Sequence, residues 1–424
     1  MIMLVLFLIL IALGVPVFVA MVLSSLSYIL TSGNAALINM AAQRMFAGIN
    51  SFTLLAIPFF IYAGLLMNMS GVSRRLFDFA NTLVGHKKGG LGHVNVVASM
   101  FFAGMSGSAV ADAAGLGAIE MKAMHDAGFD DGFSGAVTAA SSTIGPVIPP
   151  SIPMVLFGGL TGVSVGRLFL GGFIPGLLMG ACLMFMVWLI ASKRSYPVSK
   201  KFTGKERWHS FLDALPSLLM PVIILGGILS GLFTPTEAAV VACIYAMFLG
   251  IVVYREINLA SLWVLLKETI RNTAQVMVII ASAGLFGWLM TYQGVPAAII
   301  KAICGLTSNK YVVLLLLNII LLILGCFMEG NAVLILTVPI FVPIAQQFGI
   351  DLVHLGVLMC LNSMIGTITP PVGMCLYPVC TLGNLTMMEL VKEIIPFLLI
   401  LIVALFVVTY VPGLSTLLPS LMMS

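Results

Sequence analysis

Long apolar stretches separated by short polar segments dominate the hydropathy pattern of this chain. A helix needs about 20 apolar residues to cross the hydrocarbon core of a bilayer. The stretches that approach or exceed this length without interruption are approximately 2–30, 52–69, 168–191, 211–232, 238–253, 273–290 and 393–411. The pattern therefore predicts an all-α polytopic membrane protein.

Four further apolar segments are interrupted near their centres. Segments 96–123 and 311–345 contain Gly, Ser or Asn at the middle, whereas 134–158 and 355–378 each contain a Pro-Pro pair flanked by Gly and hydroxyl residues. Proline removes a backbone donor and glycine permits turns that other residues avoid. Non-helical backbone at membrane depth is tolerated only where protein or water covers it. We therefore predict two re-entrant helical hairpins and two discontinuous helices.

Composition and charge agree with a membrane location. Hydrophobic residues make up 61% of the chain and charged residues 8%, against about 25% charged in soluble domains. If 96–123 and 311–345 are hairpins that return to their own side, most Lys and Arg residues lie on the side of the N-terminus. Because such residues concentrate in cytoplasmic loops, the N-terminus is predicted to be cytoplasmic and the C-terminus periplasmic.

The two halves of the chain repeat each other. A shift of 223 positions superposes Gly64, Met67 and Gly71 on Gly287, Met290 and Gly294, and places Gly107 on Gly330. After the hairpins the shift becomes 221, and it matches the Pro-Pro pair of 149–150 with that of 370–371. With the topology above, the repeat is inverted. Inverted repeats with discontinuous helices at matching positions are typical of secondary transporters with a binding site at the midplane.

Each half of the repeat is expected to contain an outer part, called the scaffold, and a part with one hairpin and one broken helix, called the transport domain. In the first half, the predicted units are a scaffold at 1–92 and a transport domain at 93–192, with hairpin 96–123 and broken helix 134–158. A cytoplasmic linker follows at 193–210. In the second half, the predicted units are a scaffold part with a connecting helix at 211–310 and a transport part at 311–424, with hairpin 311–345 and broken helix 355–378. The segments 35–49 and 259–272 are interpreted as surface helices that brace the scaffold.

Each hairpin tip is expected to meet a helix break near the middle of the membrane. There, hydroxyl, amide and carbonyl oxygens would surround a small volume, and hard cations prefer oxygen ligands. We predict one Na⁺ site per repeat, hence at least two. The predicted Na⁺ ligands are Ser106, Gly107, Ser108, Ser142, Thr143 and Gly145 in the first repeat, and Glu329, Gly330, Asn331, Asn362, Ser363, Gly366 and Thr367 in the second.

Half-helix N-termini that face the same cavity carry partial positive charge and suit a carboxylate. The predicted substrate contacts are Ser106, Ser108, Ser141, Pro146, Asn331 and Thr369. Neither tip nor break contains Lys or Arg. A carboxylate would therefore be held by backbone dipoles, hydroxyls and bound cations, or by a cation from elsewhere, such as Arg44 or Arg271, although these two fit membrane-surface segments better.

Two acidic residues lie near the predicted tips. Glu329 is the acid placed deepest in the membrane, and intramembrane acids are functional by default; the alternative is a local partner for the N–H groups of the second hairpin arm. Asp112 lies one turn beyond the first tip and either serves the site or pairs within the bundle. The histidines and the seven cysteines show no metal-ligand or nucleophile–base spacing, so the chain is not expected to be an enzyme.

Several motifs together resemble one transporter family. They are the run 51–64, the tip 104–112, the break SSTIGPVIPP at 141–150, TPTEAA at 234–239 and the break NSMIGTITPP at 362–371. This set, which spans essentially the whole chain, resembles the large membrane subunit of tripartite ATP-independent periplasmic (TRAP) transporters. The resemblance implies an inner-membrane protein that imports an organic acid such as sialic acid or a C4-dicarboxylate with Na⁺, by an elevator mechanism.

The resemblance also implies partners. A periplasmic substrate-binding protein would deliver the organic acid, and a small four-helix membrane subunit would brace the large one; it is expected to be a separate chain. The substrate stays open, with a preference for sialic acid. The rival interpretations are a stand-alone divalent-anion/Na⁺ symporter or cation/proton antiporter without a binding protein, an intramembrane enzyme, and a passive channel.

Overall fold

A computed structural model describes residues 2–194 and 196–423, without the side chains of Ile2, Ala35 and Ser106. The first half is a series of eleven α-helices with a 3₁₀ turn at Thr53–Leu55. The helices are α1 (Ile2–Ala12), α2 (Val17–Ser32), α3 (Ala35–Ile49), α4 (Ala56–Met69), α5 (Val72–Val84), α6 (Gly90–Ser106), α7 (Ala109–Ala114), α8 (Leu116–Asp126), α9 (Asp131–Ser142), α10 (Ile152–Thr161) and α11 (Val165–Arg194).

The second half is helical as well, with a π-helical segment at Leu249–Val253. Its helices are α12 (Gly204–Leu229), α13 (Pro235–Phe248), α14 (Leu259–Tyr292), α15 (Val295–Leu306), α16 (Lys310–Gly325), α17 (Gly330–Gln347), α18 (Leu352–Gly366), α19 (Leu376–Gly383), α20 (Met387–Tyr410) and α21 (Gly413–Met422). The described residues form no β-strand. The predicted all-α fold class is confirmed.

Six helices of the described part are long and apolar enough to cross a membrane, or seven if the pair Ala36–Ile49 and Thr53–Met69, bent by 60°, counts as one span. Large apolar side chains stay exposed along these helices, for example Trp188 on α11 and Val222 on α12. Apolar surface of this extent on a soluble monomer would be unusual. It fits a lipid-facing surface.

The hairpin segments have the predicted interruptions. In the first, α6 ends at Ser106, Gly107 follows in the left-handed conformation (φ 59°), and α7 begins after Ser108. In the second, α16 ends at Gly325 and α17 begins after Glu329. The helices on either side of each turn pack against each other, as expected for helical hairpins. Whether these hairpins re-enter their own side of the membrane stays a prediction.

The discontinuous helices also break where the sequence indicated. Residues 143–151 separate α9 from α10, and residues 367–375 separate α18 from α19. The Pro149–Pro150 and Pro370–Pro371 peptide bonds are both cis. All residues from Phe133 to Ser142 in α9 and from Val353 to Gly366 in α18 are buried. A helix buried all round lies in the interior of a bundle, so these two helices occupy the centre.

Two predicted segments differ in the structure. The span 2–30 is two helices, because Gly14 adopts φ 79° and Pro16 precedes α2. Conversely, the predicted surface helix 259–272 and the following span form the single 34-residue helix α14. The sequence Arg271-Asn272-Thr273-Ala274-Gln275 contains no Gly or Pro to end a helix, whereas α3 in the first half is capped by Asn50.

Helix contacts form two groups. Helices α2 to α4 pack with α13 and α14, and α5 packs with α12. The hairpins and broken helices pack mainly with one another and with α11 and α20. The groups meet where α4 and α5 contact α6 and where α14 contacts α17. This arrangement fits the predicted domain division, which itself stays a prediction together with the inverted repeat and the elevator motion.

Candidate substrate and cation site

A cavity of about 1250 Å³ lies where the two groups of helices meet. Both hairpin tips contribute polar side chains to its wall, and the opposite wall comes from the α1–α2 break, α4 and α14. The polar lining side chains include Ser108, Glu329 and Asn331 from the tips, and Asn68, Glu268, Asn272 and Gln275 from α4 and α14. The remaining lining is largely apolar. A mostly apolar cavity with a few convergent polar groups is typical of small-molecule sites.

The second tip is organised by Glu329. Its carboxylate caps the N-terminus of α17 by accepting a hydrogen bond from Ala332 N at 3.2 Å. It also accepts one from Asn331 Nδ2 at 2.7 Å. The alternative role considered for Glu329, a local partner for the second hairpin arm, is therefore present in the structure. The same carboxylate also lines the cavity, so its predicted role as a Na⁺ ligand stays open.

Three oxygens around the second break have no hydrogen-bond partner among the described residues. They are Asn331 Oδ1 at the tip and Asn362 Oδ1 and Ser363 Oγ at the end of α18. The tip and the break touch, because a methyl group on Gly330 would lie 3.4 Å from Ser363 O. Buried polar atoms without partners are rare in folded proteins. Oxygens of this kind, on one tip and on the break that it touches, are what a cation with oxygen ligands would satisfy.

The other predicted residues of this break have structural partners. Thr367 Oγ1 donates to Met364 O at 2.6 Å, and Thr369 Oγ1 donates to Ile365 O at 2.8 Å. Gly366 lies directly against the hairpin, since a methyl group there would approach Gly325 Cα to 2.6 Å. Gly366 O accepts from Thr369 N and Thr367 O accepts from Cys375 N, both at 3.0 Å, and the hydroxyl protons of the two threonines are used locally.

The first tip also lies against its break. A methyl group on Gly107 would come within 3.2 Å of Pro150 O, and only glycine adopts the φ of this position readily. Ser108 caps α7 by accepting a hydrogen bond from Ala111 N at 3.4 Å. The Ser106 side chain, predicted as both a Na⁺ and a substrate contact, lies outside the described part of the structure.

The hydroxyl groups of the first break bond locally. Ser142 Oγ donates to Ala139 O at 2.9 Å and Thr143 Oγ1 to Ala140 O at 2.6 Å. Ser141 Oγ donates to Asn95 Oδ1 at 2.7 Å, and Pro146 O accepts from Ser151 Oγ. All these hydroxyl groups are buried and retain lone pairs. Among the described residues, each of these hydroxyl groups therefore has a hydrogen-bond partner, whereas Ser363 Oγ of the second break has none.

Asp112 lies at the first candidate site and was not among the predicted ligands. It is 2% exposed, and its Oδ2 lies so close to the break that a methyl group on Gly145 would approach it to 2.1 Å. The sequence did carry a signal, an acidic residue one turn beyond the tip. Asp112 brings a carboxylate to the first break, whereas Glu329 brings one to the second tip.

The two breaks are adjacent in space. Cys375, at the end of the second break, donates from Sγ to Thr367 Oγ1 at 3.4 Å, and its thiol also interacts with the Ser142 side chain of the first break. The residues predicted from separate halves of the chain are thus brought together. Of the candidate ligands, the tip residues Ser108, Glu329 and Asn331 line the cavity.

Comparison with known proteins decides the family. Residues 4–414 match the DctM component of tripartite ATP-independent periplasmic transporters. The chain belongs to this family. The predicted resemblance is confirmed, and so is the expectation that the chain is not an enzyme, because its relatives are transporter permease subunits.

Two relatives of this DctM-family subunit illustrate the range of substrates. It is 47% identical to the sialic acid TRAP transporter large permease protein SiaM of Vibrio cholerae, over 96% of this chain and 95% of the relative. It is 42% identical to the C4-dicarboxylate TRAP transporter large permease protein DctM of Pseudomonas aeruginosa, over 89% of each chain. Family membership implies a multi-pass protein of the bacterial inner membrane with a small membrane subunit and a periplasmic binding protein as partners.

Solved structures share the fold of this DctM-family subunit. The Alcanivorax borkumensis YdaH transporter superposes with a TM-score of 0.67 at 15% identity, covering 89% of this chain and 88% of that one. MtrF of Neisseria gonorrhoeae superposes with a TM-score of 0.62 at 13% identity, covering 88% of this chain and 83% of that one. At such identities the likeness concerns the fold alone.

Proposed function

We propose that this subunit translocates an organic acid across the inner membrane and couples its import to the entry of Na⁺. The observation that carries the coupling is the set of buried oxygens without partners on Asn331, Asn362 and Ser363. Leaving such atoms unsatisfied is costly, about 1–3 kcal/mol each. A bound cation removes this cost, and Na⁺ sites in transporters are commonly built from unwound carbonyls and helix ends.

The substrate proposal is a carboxylate of the sialic acid class. The cavity of about 1250 Å³ has room for a nine-carbon sugar acid as well as for a dicarboxylate, so volume does not discriminate. The preference comes from the SiaM relative, which is 47% identical along nearly the whole chain. Among the described residues the lining contains no Lys or Arg, so the carboxylate would meet helix N-termini, hydroxyls and the bound cations.

The proposed transport cycle uses the two helix groups as its moving parts. The hairpins and broken helices would carry substrate and Na⁺ together, sliding as an elevator against α2 to α4 and α12 to α14. The cavity lies between the groups, as this mechanism requires. In this proposal the N-terminus is cytoplasmic and the C-terminus is periplasmic. A separate small four-helix subunit holds the scaffold, and the binding protein supplies substrate from the periplasm.

Uptake by the reconstituted complex tests this function. Proteoliposomes that contain both membrane subunits would be given binding protein loaded with radiolabelled sialic acid or succinate, with and without an inward Na⁺ gradient. We expect uptake of the sialic acid, and only with Na⁺ and the binding protein. Uptake driven equally by a proton gradient, or uptake without binding protein, would favour the stand-alone carrier instead.

A further inference from the structure

The buried side chain of Asn318 lies directly behind the second candidate cation site. It projects from α16, the first arm of the second hairpin, and is 1% exposed. Asn362 Nδ2 donates to Asn318 Oδ1 at 2.8 Å and lies 3.1 Å from the Asn318 backbone oxygen. Both amide hydrogens of Asn362 are therefore directed at one residue of the hairpin arm.

This contact fixes the orientation of the Asn362 amide. Because its NH₂ group is turned toward Asn318, its Oδ1 points away from α16, and that oxygen is buried without a hydrogen-bond partner in the described chain. Amide orientation follows from the hydrogen-bond network around it. Without Asn318, nothing described would oppose a flip that puts the NH₂ group where a cation needs an oxygen.

Asn318 is itself held by a third residue. Its Nδ2 donates to Thr409 Oγ1 at 2.9 Å, and Thr409 Oγ1 donates to Leu405 O at 2.7 Å. Thr409 is completely buried on α20. Since the hydroxyl group gives its proton to Leu405 O, it can only accept from Asn318. The amide of Asn318 is thus oriented as well, with its oxygen facing Asn362.

We infer that Asn318, oriented by Thr409, is a positioning residue for the second cation site: it turns the Asn362 side-chain oxygen toward the bound Na⁺. The inference rests on the proposed function, because it assigns a role at the same site. It adds residues that do not touch the cation. Partners in such an outer layer typically change metal affinity by about 10- to 100-fold when they are removed.

The first half of the chain supplies a matched control. Asn95 occupies the position 223 residues before Asn318 and is also fully buried. It donates from Nδ2 to Thr138 Oγ1 at 2.7 Å and accepts from Ser141 Oγ at 2.7 Å. Neither partner has a side-chain oxygen left without a hydrogen bond among the described residues. Asn95 therefore joins helices without presenting a ligand.

The experiment compares Asn318→Ala, Thr409→Val and Asn95→Ala in the purified two-subunit complex. For each, the Na⁺ concentration that gives half-maximal uptake is measured, together with the thermal stability in Na⁺-free buffer and the stabilisation by added Na⁺. A bound ion stabilises the folded state according to its affinity. We expect Asn318→Ala to raise the half-maximal Na⁺ concentration by about tenfold, and Thr409→Val to raise it by a smaller factor.

Asn95→Ala should lower stability in Na⁺-free buffer but leave the half-maximal Na⁺ concentration unchanged. If Asn318→Ala fails to fold, Thr409→Val alone decides: a wild-type Na⁺ requirement in that variant overturns the inference. Ser363→Ala tests the cation site itself, so it distinguishes a failure of the site from a failure of the positioning role alone. If it raises the Na⁺ requirement while Asn318→Ala does not, only the positioning role fails; if it has no effect, the proposed cation site fails and the inference with it.

Discussion

Asn95 and Asn318 lie 223 positions apart and hold equivalent places, each joining the first arm of a hairpin to the broken helix beside it. Asn95 bonds Thr138 and Ser141 of α9, and Asn318 bonds Asn362 of α18. The shift that relates them is the one found from the glycines of the sequence. The equivalent hydrogen bonding of these two asparagines supports the predicted repeat, which was identified mainly from the positions of glycine and proline.

Asn95→Ala should destabilise the protein. The substitution leaves Thr138 and Ser141 buried with fewer partners, and a buried polar group without a partner costs about 1–3 kcal/mol. The thermal unfolding of the purified complex measures the effect. Asn95→Ser, which restores one hydroxyl group, should recover part of the lost stability. Wild-type stability of the alanine variant would show that this network contributes little.

Gly366→Ala should abolish transport or expression. A methyl group on Gly366 would lie 2.6 Å from Gly325 Cα, and one on Gly325 would lie 2.8 Å from Gly366 Cα. Both obstacles are backbone, so neither can move without separating the hairpin from the broken helix. Expression yield and uptake report the result.

The matched control for this contact is Gly226→Ala on α12, where no neighbouring atom lies within 4 Å of the added methyl group. Alanine is favoured over glycine inside a helix by about 1 kcal/mol, so this variant should keep its activity and gain stability. Equal behaviour of the two alanine variants would contradict the close backbone approach of Gly325 and Gly366.

Glu120→Gln should be tolerated, unlike most changes at buried polar positions. Glu120 is 1% exposed on α8, and its Oε1 has no hydrogen-bond partner among the described residues. Burying a charge without a partner is costly, so the neutral isostere should leave thermal stability unchanged or raise it. A large loss of stability or of uptake in Glu120→Gln would reveal a role for the carboxyl proton or charge.

Glu206→Gln should loosen the start of α12 at the predicted linker. Lys200 bonds the Glu206 carboxylate, and the backbone N–H and hydroxyl of Thr203 bond it as well; together they lower the pKa of Glu206 from 4.5 to about 2. A lowered pKa means that its contribution is present above pH 4.5 and is lost as the pH falls toward 2.

Hydrogen exchange of the first-turn amides of α12 measures this effect. Exchange at neutral pH should be faster in Glu206→Gln than in the wild type. Thr234→Ala, which removes the similar capping box at the start of α13, is the control: it should leave α12 unchanged. Equal exchange in wild type and Glu206→Gln would exclude a role of the carboxylate in holding this helix end.

The sequence predicted the elements that depend on local chemistry. Gly107, the Pro-Pro pairs and the hydroxyl residues beside them end helices by their own geometry, so the tips and breaks were placed within a few residues. The continuity of α14 was missed, because the preference for a surface helix at 259–272 came from comparison with α3 and not from a breaker residue. The local signal was present: residues 271–275 contain no Gly or Pro to end a helix, whereas Asn50 caps α3.

The candidate site was predictable in its location but not in its pairings. Asn362, Ser363 and Asn331 were identified from their place beside a tip and a break, and each has a side-chain oxygen without a hydrogen-bond partner among the described residues. The Asn318 contact was missed, since a polar residue in an apolar helix does not show which neighbour it faces. The local capping role of Glu329 was foreseen only as an alternative.

The proposed coupling depends on Na⁺ binding by the oxygens of Asn331, Asn362 and Ser363. The most direct measurement is the stabilisation of the purified complex by increasing Na⁺ against an equal ionic strength of choline, for the wild type and for Ser363→Ala. We expect a saturable stabilisation in the wild type that needs about tenfold more Na⁺ in the variant. Identical Na⁺ curves for the two proteins, or none for the wild type, would contradict it.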